Sequence, residues 1–211
     1  MKTIEVNKIK HNVKNSDRAK YIEPNIREDC LLVEDGEILG FYLHDLSKYE
    51  TLTKLLAIAN KEFRSDNVPK AYLDRISTVQ LSKKGIKRSV ARGIGVSQMS
   101  TQLGSIPPNA VMRRPLPNLS QVHRDKKAQT FIKAMLGCCI EGEKIIKEIA
   151  PKIYKRQKEL FERVEDKWKF GNLFTSSISN YNIAADYHTD VRNMVGAVNL
   201  IYTKRNNAKG S

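Results

Sequence analysis

The sequence has few cysteines and no long apolar run, and each shortage excludes a class of protein. Its 211 residues include only Cys30, Cys138 and Cys139, an odd number that argues against a disulfide framework. The adjacent pair lies in the apolar stretch FIKAMLGCCIEG, where we expect small buried hydrophobic side chains. No apolar run approaches the roughly 18–20 residues of a membrane span, and the N-terminus lacks a secretory signal. We therefore expect a cytoplasmic protein.

Acidic residues are missing from the long central segment between Asp74 and Asp125. None follows Asp190 either, and the chain carries a net charge of +14. Such a balance is typical of proteins that act on a polyanion, although a solvated basic face without a partner is the alternative. Few aromatic residues interleave with the central cations, which argues against a stacking platform for single strands. The predicted nucleic-acid-binding residues are Lys83, Lys84, Lys87, Arg88, Arg92 and Arg192.

Local patterns predict a mixed α+β fold. The first fifteen residues look like a polar lead-in. Two apolar runs flank Asp35-Gly36, which predicts a β-hairpin over residues 29–43. Apolar spacing predicts a helix over 47–63. Pro151 should kink or restart a long helical region, which otherwise divides near Gly142. The remaining predicted elements are strand and loop over 76–122, helix over 125–142, helix over 142–168, a strand after 170 and a strand over 194–204.

A histidine and an aspartate stand two residues apart in ADYHTDVRNM, residues 185–194. Residues two apart on a strand point to the same side, so His188 and Asp190 present an imidazole and a carboxylate to one point. These are two of the three ligands of the 2-His-1-carboxylate triad that holds non-haem Fe(II). A structural histidine, hydrogen-bonded to Asp190 or to the backbone, is the alternative.

The stretch HTDVRNM, residues 188–194, resembles the TET/JBP-type Fe(II)/2-oxoglutarate-dependent dioxygenases, the phage-type pyrimidine methyl hydroxylases included. That family shows His-x-Asp, an aliphatic residue, any residue and then Asn. The preceding FTSSISNYNIAADY and the region over 149–176 are similar to the segments that lead into the family's site, and STQLGSIPPNAVMRRP looks like its upstream segment. The resemblance covers roughly residues 95–211.

The resemblance implies a fold and site roles. His188 and Asp190 become metal ligands for Fe(II), and Asn193 contacts the flipped-out pyrimidine. An amide suits that role because it can both donate and accept hydrogen bonds. The implied fold is an incomplete double-stranded β-helix, or jelly roll, over 71–211 with a helical insert over 125–168, preceded by a small α/β extension over 1–70. The cofactors are Fe(II) and 2-oxoglutarate, and the substrate is the methyl group of thymine or 5-methylcytosine in DNA.

The chain departs from the family pattern after the motif. The family's distal histidine and its 2-oxoglutarate arginine lie well downstream, whereas no histidine follows His188 here. We expect a fragment, a split enzyme completed by a second polypeptide, or a degenerate relative, and in each case a chain that is inactive alone. Arg113 and Arg114 are upstream candidates for the cofactor carboxylate, since a guanidinium binds a carboxylate with two hydrogen bonds, but they equally suit phosphate.

Three functions follow from these patterns. The sequence favours an enzyme, a 2-oxoglutarate-dependent dioxygenase that hydroxylates a pyrimidine methyl group in DNA, where extrusion of the base demands a firm grip on the backbone. The second is a non-catalytic basic nucleic-acid-binding protein whose His-x-Asp is structural. The third is an oxygenase that acts on a protein or a small molecule, with an incidental basic surface.

Overall fold

The computed structural model describes residues 1–6, 26–72, 99–109, 113–181 and 196–203. Within them it shows two small sheets and four α-helices, which confirms the α+β class. The strands are β1 (Lys2–Glu5), β2 (Cys30–Glu34), β3 (Glu37–Tyr42), β4 (Ala71–Tyr72), β5 (Met99–Ile106), β6 (Asn118–Leu119) and β7 (Ser176–Tyr181). The helices are α1 (Glu50–Arg64), α2 (Gln121–Arg124), α3 (Gln129–Ile149) and α4 (Pro151–Glu162), with a 3-10 turn at Asp166–Trp168.

The predicted hairpin is confirmed as the antiparallel pair β2–β3. Its two-residue turn has positive φ at both positions, 51° at Asp35 and 77° at Gly36. This is the conformation of the tight turns that match the twist of hairpin strands, and Asp-Gly favours it. The register shifts between Leu32 and Val33, so Leu39 has no directly paired residue.

Strand β1 corrects the expectation that the first fifteen residues form only a polar lead-in. Residues Lys2–Glu5 pair with Cys30–Val33 as a parallel strand. The Lys2 ammonium lies 2.9 Å from the Glu28 carboxylate, and the Val6 amide donates to the Val33 carbonyl at 2.8 Å. A parallel neighbour is separated in sequence by a long connection, so the local pattern gives no sign of it.

The helical predictions are confirmed in outline and wrong in one detail. The helix expected over 47–63 is α1, and the region expected over 125–168 contains α3 and α4. Pro151 is the first residue of α4, where proline loses no hydrogen bond that the helix would make. No break occurs at Gly142, because one glycine costs a helix only about 1 kcal/mol and α3 continues to Ile149.

The larger sheet centres on β5. Strand β7 pairs with Met99–Gly104, β4 with the beginning of β5, and β6 with its last two residues. This confirms the strand-and-loop prediction over the described residues between Met99 and Ser120, whereas α2 begins at Gln121. A buried cluster packs β5 through Leu103 against the aromatic pair Phe63 and Phe131, whose ring centroids lie 6.0 Å apart. These contacts position the loop that follows β5.

The strand predicted over 194–204 is wrong for its described part. Residues 197–203 have no strand partner. Instead, the buried side chain of Gln157 in α4 accepts from the Val198 amide at 2.8 Å and donates to the Val198 carbonyl at 3.3 Å. A side chain therefore satisfies the backbone groups that a neighbouring strand would otherwise pair. Leu200 and Tyr202 occupy the space where a side chain at Gly142 would lie.

The chain divides into two compact units. The first unit comprises Met1–Lys54, Ile140–Arg163 and Ala185–Ser211, and the second comprises Leu55–Cys139 and Val164–Ala184. This division follows spatial contacts, and the expected domain boundary near residue 70 stays a prediction. Among the described helices, none has the length and apolar character that crossing a membrane requires.

Candidate functional site

Most of the predicted site residues lie outside the described part of the chain. The iron-ligand pair His188 and Asp190 and the base contact Asn193 belong to this group. The same holds for the predicted nucleic-acid-binding residues Lys83, Lys84, Lys87, Arg88, Arg92 and Arg192. The described residues therefore test neither the iron site nor these cations. Arg113 and Arg114 are the predicted site residues that the structure places.

The segment with the His-x-Asp pattern is preceded by β7, which ends at Tyr181. Within the second unit, β7 pairs with six consecutive residues of β5, and Ser100 donates to the Asn180 side chain at 2.8 Å. The Arg64 guanidinium lies 5.1 Å from the centre of the Tyr181 ring. A strand that leads into this segment agrees with the expectation from the sequence.

The residues that follow the segment are held within the first unit. Gly196 has a φ of 84°, and a side chain there would meet the Arg156 guanidinium at 3.3 Å. Two residues later, Gln157 makes its two hydrogen bonds to Val198. This contact leaves no signal in the local sequence, because a glutamine in a basic helix is usually exposed.

No group of three or more His, Cys, Asp or Glu side chains converges on a metal position within the described residues. The three cysteines are free thiols, with Cys30 and Cys138 buried and Cys139 half-buried. Burial raises the pKa of the Cys139 thiol to about 12, which keeps it protonated and unreactive. The expectation of buried side chains in the adjacent pair is confirmed at Cys138, whereas Cys139 is half-buried.

The loop after β5 brings two consecutive arginines to one place. Asn109 and Arg114 exchange both backbone hydrogen bonds, at 2.8 and 2.9 Å. Arg113 has a φ of 51°, a left-handed conformation that costs a non-glycine residue about 1 kcal/mol. Consecutive side chains of an extended segment point to opposite sides, whereas here both arginines line one recess. The left-handed backbone at Arg113 therefore changes the direction of the chain at this point.

The recess has a volume of about 380 Å³ and is lined by Pro108, Arg113, Arg114 and Pro115. We refer to it as the arginine recess. Arg114 Nε donates to the Pro107 carbonyl at 3.0 Å, which fixes the plane of its guanidinium. A guanidinium has five N–H donors, so four remain for a ligand after this contact. The flanking prolines have fixed φ and offer no N–H, so they serve as rigid walls.

A third arginine lies at the same end of β5. Asn118 of β6 is paired with Ile106, the residue before Pro107. The Arg124 guanidinium of α2 donates to the Asn118 side-chain oxygen and to the Leu119 carbonyl, the latter at 3.1 Å. Helix α2 is capped by Ser120, whose hydroxyl accepts from the His123 amide at 3.1 Å. Sequence reasoning placed Arg124 in the acid-free segment but gave no sign of this orientation.

His123 is the one described residue with a buried side-chain polar atom that lacks a hydrogen-bond partner, and the atom is Nδ1. Its ring meets Phe170 edge-on, with centroids 5.9 Å apart. Burial lowers the pKa of His123, because the charged imidazolium loses its hydration there. The ring is therefore neutral near pH 7, and its Nδ1 is sealed against the aromatic core.

The cations at this end of the second unit have no carboxylate partner within the described residues. The set comprises Arg113, Arg114, Arg124, Lys126 and Lys127, and none forms an ion pair there. Asp125 is the single acidic residue between Met99 and Ile140, and its Oδ1 accepts from the Lys127 amide at 2.8 Å. A surface with this charge attracts an external anion.

No protein-family model, curated protein or solved structure matches this chain. The resemblance of residues 188–194 to pyrimidine methyl hydroxylases therefore stays a prediction from the sequence. A functional conclusion has to be drawn from that motif and from the geometry of the described side chains.

Proposed function

We propose that the protein binds DNA and belongs to an Fe(II)/2-oxoglutarate-dependent dioxygenase that hydroxylates a pyrimidine methyl group. The observation that carries the DNA-binding part is the placement of Arg114 and Arg124 at the end of β5, where neutral carbonyl and amide oxygens hold them instead of carboxylates. Their charge is left for an external polyanion, and an acid-free segment of the chain surrounds them. Such a protein would act in the cytoplasm of a bacterial host.

The oxygenase part rests on residues 188–194 and on the strand that precedes them. In this proposal His188 and Asp190 hold Fe(II), and Asn193 contacts the target base. Iron bound with 2-oxoglutarate supplies the activation of dioxygen that C–H hydroxylation requires. Antiparallel β5 and β7 would be early strands of a double-stranded β-helix. The residues after Asp190 include no histidine, so we propose that a second polypeptide or another segment supplies the third ligand.

The DNA-binding part is tested by the salt dependence of affinity. Each phosphate contact contributes a slope of about −0.9 to the plot of log affinity against log salt. If the three arginines each bind one phosphate, affinity for a short duplex falls roughly 40-fold between about 50 mM and about 200 mM salt. Fluorescence anisotropy measures this directly. A flat salt dependence would remove the nucleic-acid proposal and favour an oxygenase of proteins or small molecules.

The iron site is tested by metal binding to the chain and to two variants. Fe(II) affinity, measured anaerobically by calorimetry, should fall at least about tenfold in His188→Ala and in Asp190→Ala, because each removes one of the proposed ligands. His44→Ala is the matched control, since His44 is exposed, its ring nitrogen Nδ1 lies 3.4 Å from the Tyr42 hydroxyl, and only its backbone amide donates to the Asp29 carboxylate. Iron affinity that is equal in all four proteins would exclude the proposed ligand pair.

A non-catalytic DNA-binding protein is the second candidate, because no histidine follows His188 in the sequence to serve as the distal ligand of the family pattern. The two candidates are separated by mass spectrometry of duplexes that contain thymine or 5-methylcytosine. The duplexes are incubated with Fe(II), 2-oxoglutarate and the host-cell extract that would contain a partner polypeptide. A mass increase of one oxygen that is lost in His188→Ala supports the oxygenase. Salt-dependent binding without any oxidation supports the non-catalytic protein.

A further inference from the structure

We infer that the arginine recess is a phosphate-binding site for the DNA backbone and not the carboxylate site of 2-oxoglutarate. This inference rests on the proposed DNA binding and deepens it, since it states which side chains contact the polyanion and how. The recess is formed entirely within the second unit by Pro108, Arg113, Arg114 and Pro115.

The first argument is the orientation of Arg114. Its Nε donates to the Pro107 carbonyl, so the two terminal amino groups present the remaining edge of the guanidinium. Two parallel N–H donors at that edge match the spacing of two phosphate oxygens. Because a backbone carbonyl already fixes the side chain, less conformational entropy is lost when the anion binds.

The second argument is the backbone at Arg113. A left-handed φ is uncommon for a residue with a side chain, and glycine would fill the position without strain. Arginine at this position gives the recess a second lining arginine, on an exposed residue. Such backbone strain persists where surrounding contacts hold the conformation in place. Here the two Asn109–Arg114 backbone hydrogen bonds do so.

The third argument distinguishes the two candidate anions. A small-molecule cofactor is usually enclosed, with most of its surface buried among apolar and polar side chains. The arginine recess is bounded by exposed residues, among them Pro108, Arg113 and Pro115. A phosphodiester on the outside of a duplex reaches such an open position without leaving solvent, and contacts of this kind set the register of the protein on DNA.

The test uses the full chain with Arg113→Gly and Arg114→Ala combined, and a duplex of about 20 base pairs. Glycine is chosen at residue 113 because it adopts the left-handed φ freely, so the guanidinium is removed without backbone strain. The matched control is Lys54→Ala with Lys61→Ala, which removes two cations from exposed positions of α1 and leaves the same net charge. Thermal unfolding of both double variants verifies that they fold.

We expect the recess variant to bind DNA about tenfold more weakly than the wild-type chain at low salt, with a salt slope reduced by about 1.8. The control should change the slope by less than about 0.5. Restoring the charges as Arg113→Lys and Arg114→Lys should recover part of the affinity, since a lysine contacts phosphate as a point charge. The 2-oxoglutarate affinity, measured in parallel with Fe(II) present, should equal that of the wild-type chain.

Three results would overturn the inference. A recess variant with wild-type DNA affinity and salt slope removes the arginines from the interface, while the proposed DNA binding stands on the wild-type measurement. A recess variant that loses 2-oxoglutarate affinity and keeps DNA affinity assigns the site to the cofactor instead. A wild-type chain that fails to bind DNA with any salt dependence overturns the proposed function and this inference together.

Discussion

The two units differ in the partners of their charged side chains. Among the described residues, seven lysine–carboxylate ion pairs occur, and five of them lie within the first unit. The other two in the second unit are local pairs near Trp168. Around β5 of the second unit, arginines are held by carbonyl and amide oxygens instead. A pair of charges neutralises itself, whereas an arginine on a neutral acceptor keeps its field for a ligand.

The difference extends to what lies beneath each surface. The second unit has a contiguous buried cluster that includes Phe63, Phe131 and Phe170 and reaches Leu103 of β5. A rigid sheet therefore supports the loop that forms the arginine recess. The first unit buries a polar side chain, Gln157, to hold an extended segment. The comparison predicts which substitutions disturb structure and which disturb only the charged surface.

The largest expected effect is that of Phe131→Ala in the second unit. The ring is 1% exposed and stacks on Phe63, so its removal leaves a cavity and should cost about 3–5 kcal/mol of unfolding free energy. Urea denaturation followed by circular dichroism measures this. Phe161→Ala, at the 5% exposed phenylalanine of the first unit, is the matched variant. A loss below about 1 kcal/mol for Phe131→Ala would show that the cluster is not the core of its unit.

The next effect is that of Gln157→Ala in the first unit. The substitution leaves the half-buried amide and carbonyl of Val198 without these partners, which should cost about 1–2 kcal/mol. The exposed Lys155 on the same helix provides the control, as Lys155→Ala. Limited proteolysis should also cut the chain after residue 195 faster in Gln157→Ala. Equal stability and equal cleavage in both variants would mean that the two hydrogen bonds do not hold the segment.

A smaller effect is expected from the pH dependence of His123. Its pKa is lowered by burial, so the unfolded chain binds a proton at a higher pH than the folded chain does. Stability from this residue is therefore present above about pH 6.5 and is lost as the pH falls towards the folded-state pKa. His123→Leu should flatten this part of the profile in thermal unfolding between about pH 7 and about pH 5. His44→Leu, an exposed site, should retain it. An unchanged profile in His123→Leu would assign the acid sensitivity elsewhere.

The smallest effect is expected for the ion pair between Lys152 and Glu37. The two side chains are 84% and 67% exposed, so Glu37→Gln should change the unfolding free energy by less than about 0.5 kcal/mol. It should also leave the salt slope of DNA binding unchanged, in contrast to the recess variant. A change in unfolding free energy above about 1 kcal/mol would show that ion pairs in the first unit contribute to stability, and the two units would then differ less than the comparison states.

The candidate site was only partly predictable from the sequence. The charge distribution identified Arg113, Arg114 and Arg124 as members of an acid-free segment, because the absence of Asp and Glu is read directly from the sequence. Their orientation was not visible, since it depends on a φ of 51° at Arg113 and on the Pro107 carbonyl. The iron-ligand pair His188 and Asp190 was identified by spacing and resemblance, and it stays a prediction.

The sequence by itself determined the local elements. Asp35-Gly36 specifies a hairpin turn through its tolerance of positive φ, and Pro151 begins a helix because its missing N–H costs nothing there. Tertiary structure alone decided the parallel pairing of β1 and the extended segment on Gln157. In each of these cases the deciding partner is distant in the chain, so its backbone hydrogen bonds and steric fit leave no local pattern.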